Sequence, residues 1–267
     1  MNTQIPPDSQ GEQPQNSPAG ADAALHLVLA GSSNYADDGS RRAYGPEVFV
    51  AGPASRVVAT RSTSPLTSIS VILRPGMLHH FGALSAPALT DEFVTAQSAG
   101  LRGLEPLVHQ LAEAWPHGAL ALVEEELRKV LRRCEGTSLD TPFPLTDSLC
   151  LMTLLREQRP RAVAAATGLS LRQIERNFQR QFGMSAKRYQ RLSRFDRVLN
   201  LLRRRGLARG ELADLALEVG YYDQSHLHND FKAFAGFSPH ALPDHASASG
   251  TSGSWLYRST GQHLRPL

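Results

Sequence analysis

Residues Ser170–Phe182 read SLRQIERNFQRQF. At the helical pitch of 100° per residue, Leu171, Ile174, Phe178 and Phe182 fall on one face. Arg172, Gln173, Glu175, Arg176, Gln179 and Arg180 fall on the other. Ser170 stands where an N-cap belongs and Gly183 where a helix stops. Just upstream, RAVAAATGLS supplies a short Ala-rich helix with Gly168 as the turn. Helix, glycine turn and a Ser-capped helix studded with Arg is the helix-turn-helix layout. Taken alone, the stretch also fits an ordinary amphipathic helix with a solvated charged face.

Working outward, the same unit recurs. Ser185 caps a long helix, AKRYQRLSRFDRVLNLLRR, whose buried stripe is Tyr189, Leu192, Phe195, Val198, Leu199 and Leu202. Glu211–Val219 and Gln224–Phe234 then form a second helix-turn-helix, with Gly220 ending its first helix. Ser238–Leu242 closes the domain, and TDSLCLMTLLRE, capped at Thr146 or Asp147, opens it, giving seven helices in all. The long helix runs about 20 residues, hence about 30 Å. Successive major-groove faces of B-DNA recur every 34–36 Å or so. A rigid helix of that length can therefore hold two recognition helices in consecutive grooves.

Charge supports this division. Residues 1–145 hold 10 Lys/Arg against 15 Asp/Glu (net −5), residues 146–243 hold 16 against 9 (net +7), and residues 244–267 hold 2 against 1. The basic charge is concentrated in Arg172–Arg205, which points to a polyanion-binding module joined to one with another task. Lys187, Arg188, Arg191 and Arg194 crowd the first half of the long helix, and some of them are expected to meet phosphate rather than bases.

The rest of the chain reads as an α+β arrangement. LHLVLA, EVFVAG, RVVAT and TSISVIL are short and β-branched and are punctuated by Gly, Pro, Ser and Asp, so four strands are expected between 25 and 73. Ile69, Val71 and Leu73 alternate with Ser68 and Ser70, and RPGM (74–77) is a turn. Two helices follow, Leu104–Trp115 and Ala119–Cys134. The second has Leu120, Val123, Leu127, Val130 and Leu131 as its stripe and Glu124–Arg128 and Glu125–Lys129 as i,i+4 pairs. Residues 1–23 and 244–267 are polar and low in apolar side chains, and disorder is expected in both. GTSLDTPFP (136–144) marks a linker at 136–145 between an N-terminal sensing or oligomerisation domain (24–135) and the DNA-binding domain (146–243).

Other chemistry is poorly supported. Two cysteines, Cys134 and Cys150, form neither a disulfide framework nor a metal-ligand spacing. His79 and His80, adjacent on a strand, point to opposite faces, and His226 and His228 diverge on a helix, so no metal site is expected. The sequence holds no G-x-S-x-G elbow, P-loop or Cys-His pairing, and no cofactor or enzymatic activity is implied. There is no signal peptide pattern and no apolar run of about 18 residues, so a cytoplasmic protein with no membrane partner is expected.

The run from Ala165 to Leu242 resembles the DNA-binding domain of the AraC/XylS family of transcription regulators. The resemblance is carried by SLRQIERNFQRQFGMSAKRYQRLSRF and by LADLALEVGYYDQSHLHNDFKAFAGFSP, above all by Gly220–Pro239. It implies two helix-turn-helix units joined by a long helix and a double-stranded DNA partner at a promoter. By the family pattern Arg172, Glu175 and Arg176 face bases in the first unit, and Gln224, Ser225, His228 and Asn229 do so in the second. The family commonly has Arg where this chain has Asn229, and an aromatic-Arg ending where this chain has HAL. Within Phe49–Phe93, VAGPASR and LRPGMLHHFG resemble an uncharacterised domain that precedes such modules. A sequence-specific regulator follows, with a small-molecule effector, homodimerisation or both assigned to the N-terminal domain. Two alternatives stand beside it. One is an alkyl-DNA repair protein, which needs an activated cysteine where Cys134 and Cys150 both look like packing residues. The other is a non-catalytic adaptor that binds DNA without sequence preference.

Overall fold

The computed structural model of this 267-residue chain describes residues 13–35, 41–62, 66–73, 77–78, 85–101, 103–114, 119–134, 153, 155, 158, 160–206 and 210–242. Strand β2 (Ala23–Ala30, AALHLVLA) is the axis of the N-terminal part. Ala23, Leu25, Leu27 and Leu29 belong to the main N-terminal core. Val28 points the other way, into a small cluster with Phe49 and Phe93. A strand covered on both faces reads as a continuous apolar run, which is what this segment is. β5 (Glu47–Ala51) and β7 (Thr67–Leu73) flank it antiparallel, with Leu27 opposite both Val48 and Ile69. The alternation expected of Ile69, Val71 and Leu73 is borne out, as all three pack on the core.

Two four-stranded antiparallel sheets result, in the orders β7-β2-β5-β8 and β1-β6-β3-β4. Here β1 is Gln13–Ser17, β3 Ser32–Tyr35, β4 Arg41–Tyr44, β6 Val58–Ser62 and β8 Phe93–Thr95. The sheets meet through Tyr35, whose ring stacks on Phe93 at 3.5 Å between centroids, while Phe93 stacks on Phe49 at 4.9 Å. The other face of the first sheet is covered by α2 (Glu105–Ala114), on which α3 (Ala119–Cys134) packs. Both helices lie where the apolar stripes place them. Val123 and Val130 are buried, and Glu124–Arg128 and Glu125–Lys129 pair at 2.5 and 2.9 Å.

Several expectations are corrected. Disorder was expected over residues 1–23, but Gln13–Ser17 pairs with β6 and Ala19 and Ala21 are buried. QPQNS earns its place through backbone hydrogen bonds to a neighbour about 45 residues away in sequence, which its side-chain composition does not advertise. β3 (SSNY), β4 (RRAY) and β8 (FVT) are likewise too short or polar to show an apolar alternation. RVVAT forms a strand only from Val58 onward. A one-turn helix, α1 (Ala86–Leu89), adds to the two helices expected.

The C-terminal part is helical: α4 (Pro160–Thr167), α5 (Leu171–Phe182), α6 (Ala186–Arg205), α7 (Leu212–Glu218), α8 (Gln224–Ala235) and a closing 3-10 turn (Pro239–Ala241). Its core runs through Phe178, Phe182, Tyr189, Phe195, Phe231 and Phe234, all nearly inaccessible. Of the opening helix, Thr153 and Leu155 are helical and Leu155 is fully buried. The linker at 136–145, the tail at 244–267, Cys150, His79 and His80 lie outside the described residues. Of the apolar face of α5, Leu171 in the first turn is 46% exposed, and Asn177 and Gln181 are buried with Ile174, Phe178 and Phe182.

The two parts touch. The Ala19 N–H donates to the Phe234 carbonyl at 2.8 Å, and the Thr90 hydroxyl donates to the Gly183 carbonyl at 3.1 Å. Gly183 is left-handed (φ 68°), and a Cβ there would meet the Thr90 hydroxyl and the Ala86 carbonyl. Only glycine serves both the cap and this close approach.

Candidate nucleic-acid interface

The first recognition helix is built by its caps. The Ser170 hydroxyl accepts from the Gln173 N–H at 3.2 Å, and the Gln173 side-chain oxygen accepts from the Ser170 N–H at 2.9 Å. This reciprocal capping box satisfies orphan donors and fixes where α5 begins. On the exposed face Arg172, Arg176 and Arg180 recur at i, i+4 and i+8, one row along the helix. None of the three makes an ion pair with another described residue. Gln179, also exposed, donates to the Gly183 carbonyl at 3.2 Å. Glu175 has a task the sequence did not reveal. Its carboxylate accepts from the Ala186 N–H at 3.3 Å, beside Ser185, whose hydroxyl accepts from the Arg188 N–H at 3.1 Å. That bond places the Glu175 carboxylate at the start of α6, where a negative charge meets the positive end of the helix.

On the linking helix Arg188, Arg191 and Arg194 follow one another at three-residue spacing, which puts them on one face. That face looks inward. Arg191 donates through Nε and Nη2 to Asp230 Oδ1 at 3.1 and 2.6 Å, with its guanidinium over the Phe234 ring. Arg188 donates to the Ser55 carbonyl of the N-terminal part, and burial lowers its pKa. Ser55 is held in turn by Asp91, whose carboxylate accepts from its N–H and its hydroxyl at 2.6 Å each. Arg194 lies over Tyr221, and burial, helped by Asp230, raises that phenol's pKa. Arg188 and Arg191 thus have protein partners, while Lys187 is exposed. The partners lie far off in sequence, at Ser55 and Asp230, so no local pattern announced them.

In the second unit Asp223 caps α8, accepting from the His226 N–H at 2.8 Å. The carboxylate is held below its usual range first by that backbone bond. Gly220 turns the chain left-handed (φ 86°) between α7 and α8. Gln224, Ser225, His228 and Asn229 are brought together in the lining of an open cleft of about 430 Å³, with Gly210, Leu212 and His240. His226 points elsewhere, edge-on to the Tyr222 ring at 6.1 Å. Sequence reading missed His240 because the turn that carries it is short. Its neighbours Pro239 and Leu242 are both buried.

No helix among the described residues is long and apolar enough to cross a membrane. Comparison with curated proteins gives no match. Among solved structures, ToxT from Vibrio cholerae O395 is 10% identical over 88% of this chain and 97% of its own, with a TM-score of 0.45. The 1.65 Å structure of ToxT from Vibrio cholerae is 11% identical over 88% and 98%, with a TM-score of 0.49. Wild-type ToxT of strain SCE256 with unsaturated fatty acid bound is 10% identical over 85% and 92%, with a TM-score of 0.46. Residues 163–243 match the family model described as a helix-turn-helix domain. With two capped helix-turn-helix units joined through α6 inside that span, the C-terminal region of this chain is a helix-turn-helix domain.

Proposed function

We propose that this chain is a cytoplasmic, sequence-specific regulator of transcription that places α5 and α8 in consecutive major-groove faces of one promoter site. The observation that carries this reading is the pair of exposed, capped recognition helices held apart by the 20 residues of α6. Arg172 and Arg176 are suited to bidentate pairing with guanine O6 and N7, with Arg180 and Lys187 on phosphate. The second unit offers neutral groups, Gln224, Ser225 and Asn229, beside His228. Its readout accordingly leans on adenine-type hydrogen bonds and adds less electrostatic affinity. The N-terminal part takes the regulatory role, as an effector-sensing or homodimerising unit. Its contacts with Gly183, Arg188 and Phe234 support this, because they reach both helix-turn-helix units. Selection of random duplexes against the purified protein tests the reading. A motif of two boxes is expected, and recovery of no motif refutes it in favour of binding without sequence preference.

A further inference from the structure

The cleft beside α8 has a wall that does not belong to the recognition helix. After α8 ends at Gly236 (φ 85°), the chain turns, and Pro239 and Leu242 are buried on either side of His240. His240 itself is exposed. The backbone that carries it is thus held from both sides, and His240 lines the same cleft as Gln224, Ser225, His228 and Asn229. An α-helix with its side chains is about 10–12 Å across, and the major groove is roughly 12 Å wide. Once α8 fills the groove, a group on a separate element lining the cleft has no base edge left to reach. What lies there is the sugar-phosphate strand that borders the groove. Among the described residues that line the cleft none is acidic, which suits a phosphate.

We propose that the cleft receives one strand of the DNA backbone and that His240 donates a hydrogen bond to a phosphate oxygen there, clamping α8 in its groove. This deepens the proposed function and rests on it. The division of labour is definite: α8 reads and the 3-10 turn holds. A phosphate contact carries no sequence information, so its loss weakens binding evenly on all duplexes.

The test compares wild type, His240→Ala and His240→Lys in the full-length protein, titrated on the selected duplex and on a scrambled one of equal length. His240→Ala is expected to lose roughly three- to tenfold on both duplexes. His240→Lys, which supplies a donor and a permanent charge, is expected to equal or exceed wild type on both. Unchanged affinity of His240→Ala overturns the clamp, as does a lysine variant as weak as the alanine one. A loss confined to the selected duplex makes His240 a base reader, which also overturns it. Failure of wild type to select any motif refutes sequence-specific regulation instead, and the scrambled-duplex titration then still decides the role of His240. Thermal melts of both variants matching wild type confirm that binding, not folding, is read.

Discussion

Arg176 and Arg191 are the same residue type on neighbouring helices, and their surroundings assign them different work. Arg176 is exposed on α5. Arg191 meets Asp230 at 2.6 Å, with 35% of its own side chain and 11% of the aspartate side chain exposed. Removing Arg191 leaves a largely buried carboxylate without its cation. Arg191→Ala is therefore expected to cost about 1–3 kcal/mol of stability, read as a lowered midpoint in urea. Arg176→Ala should melt like wild type and lose about 1–3 kcal/mol of specific binding, with relaxed preference at one base position. Reversal of the two phenotypes would mean that the faces of α5 and α6 are wrongly assigned. His26 makes a third residue-scale case. Its ring packs near Tyr35 and Phe93, with Nδ1 2.9 Å from the Ser70 hydroxyl, and burial lowers its pKa from 6.5 to about 4. The unfolded chain then binds the extra proton between those two values, so stability rises with pH across that window. Acidification from 6.5 to 4 should remove up to about 3 kcal/mol through this group. Melts of His26→Phe over the same range should lose that component, and an unaltered pH profile would place the proton elsewhere.

At the scale of elements, what was legible in the sequence is what local rules govern. α5 announced itself through Ser170, its 3.6-residue period and Gly183, and all three features do what those rules require. β2 and β7 were legible because burial writes itself into apolar runs and alternations. β1, β3 and β4 were not, because QPQNS, SSNY and RRAY depend on partners such as β6 for their backbone hydrogen bonds. The same limit hid part of the site. Nothing near Arg191 or Glu175 in sequence announces Asp230 as the partner of the first or the Ala186 N–H as the partner of the second. Element-level rules also give a sharp expectation. Ser170→Ala removes the acceptor for the Gln173 N–H and should cost about 1 kcal/mol. The loss should appear as faster amide exchange in the first turn of α5, with weaker binding at the box read by the first unit alone. Equal exchange in both proteins would show that tertiary packing, not the cap, fixes the start of the helix.

The whole molecule turns on the length of α6. Its 20 residues span about 30 Å at 1.5 Å per residue, against a groove repeat of about 34–36 Å. The helix is braced along its length. Ser185 and Glu175 cap its start, Arg188 ties it to Ser55, Arg191 and Arg194 lie against Phe234 and Tyr221, and Arg205 pairs with Glu218 at 2.6 Å. A braced strut does not stretch, so the two recognition helices have one separation and one relative rotation to offer. DNA rotates about half a turn in five base pairs, so inserting five between the two selected boxes carries one box to the opposite side of the duplex. Binding to that duplex should fall to the level of a single box, at least tenfold below the selected site. Inserting ten restores the facing but adds roughly 34 Å, which a rigid α6 does not cover, and the affinity should stay low. Recovery of affinity at ten would mean that the units are joined flexibly, or that two molecules each supply one, and either result would overturn the single-strut reading of this domain.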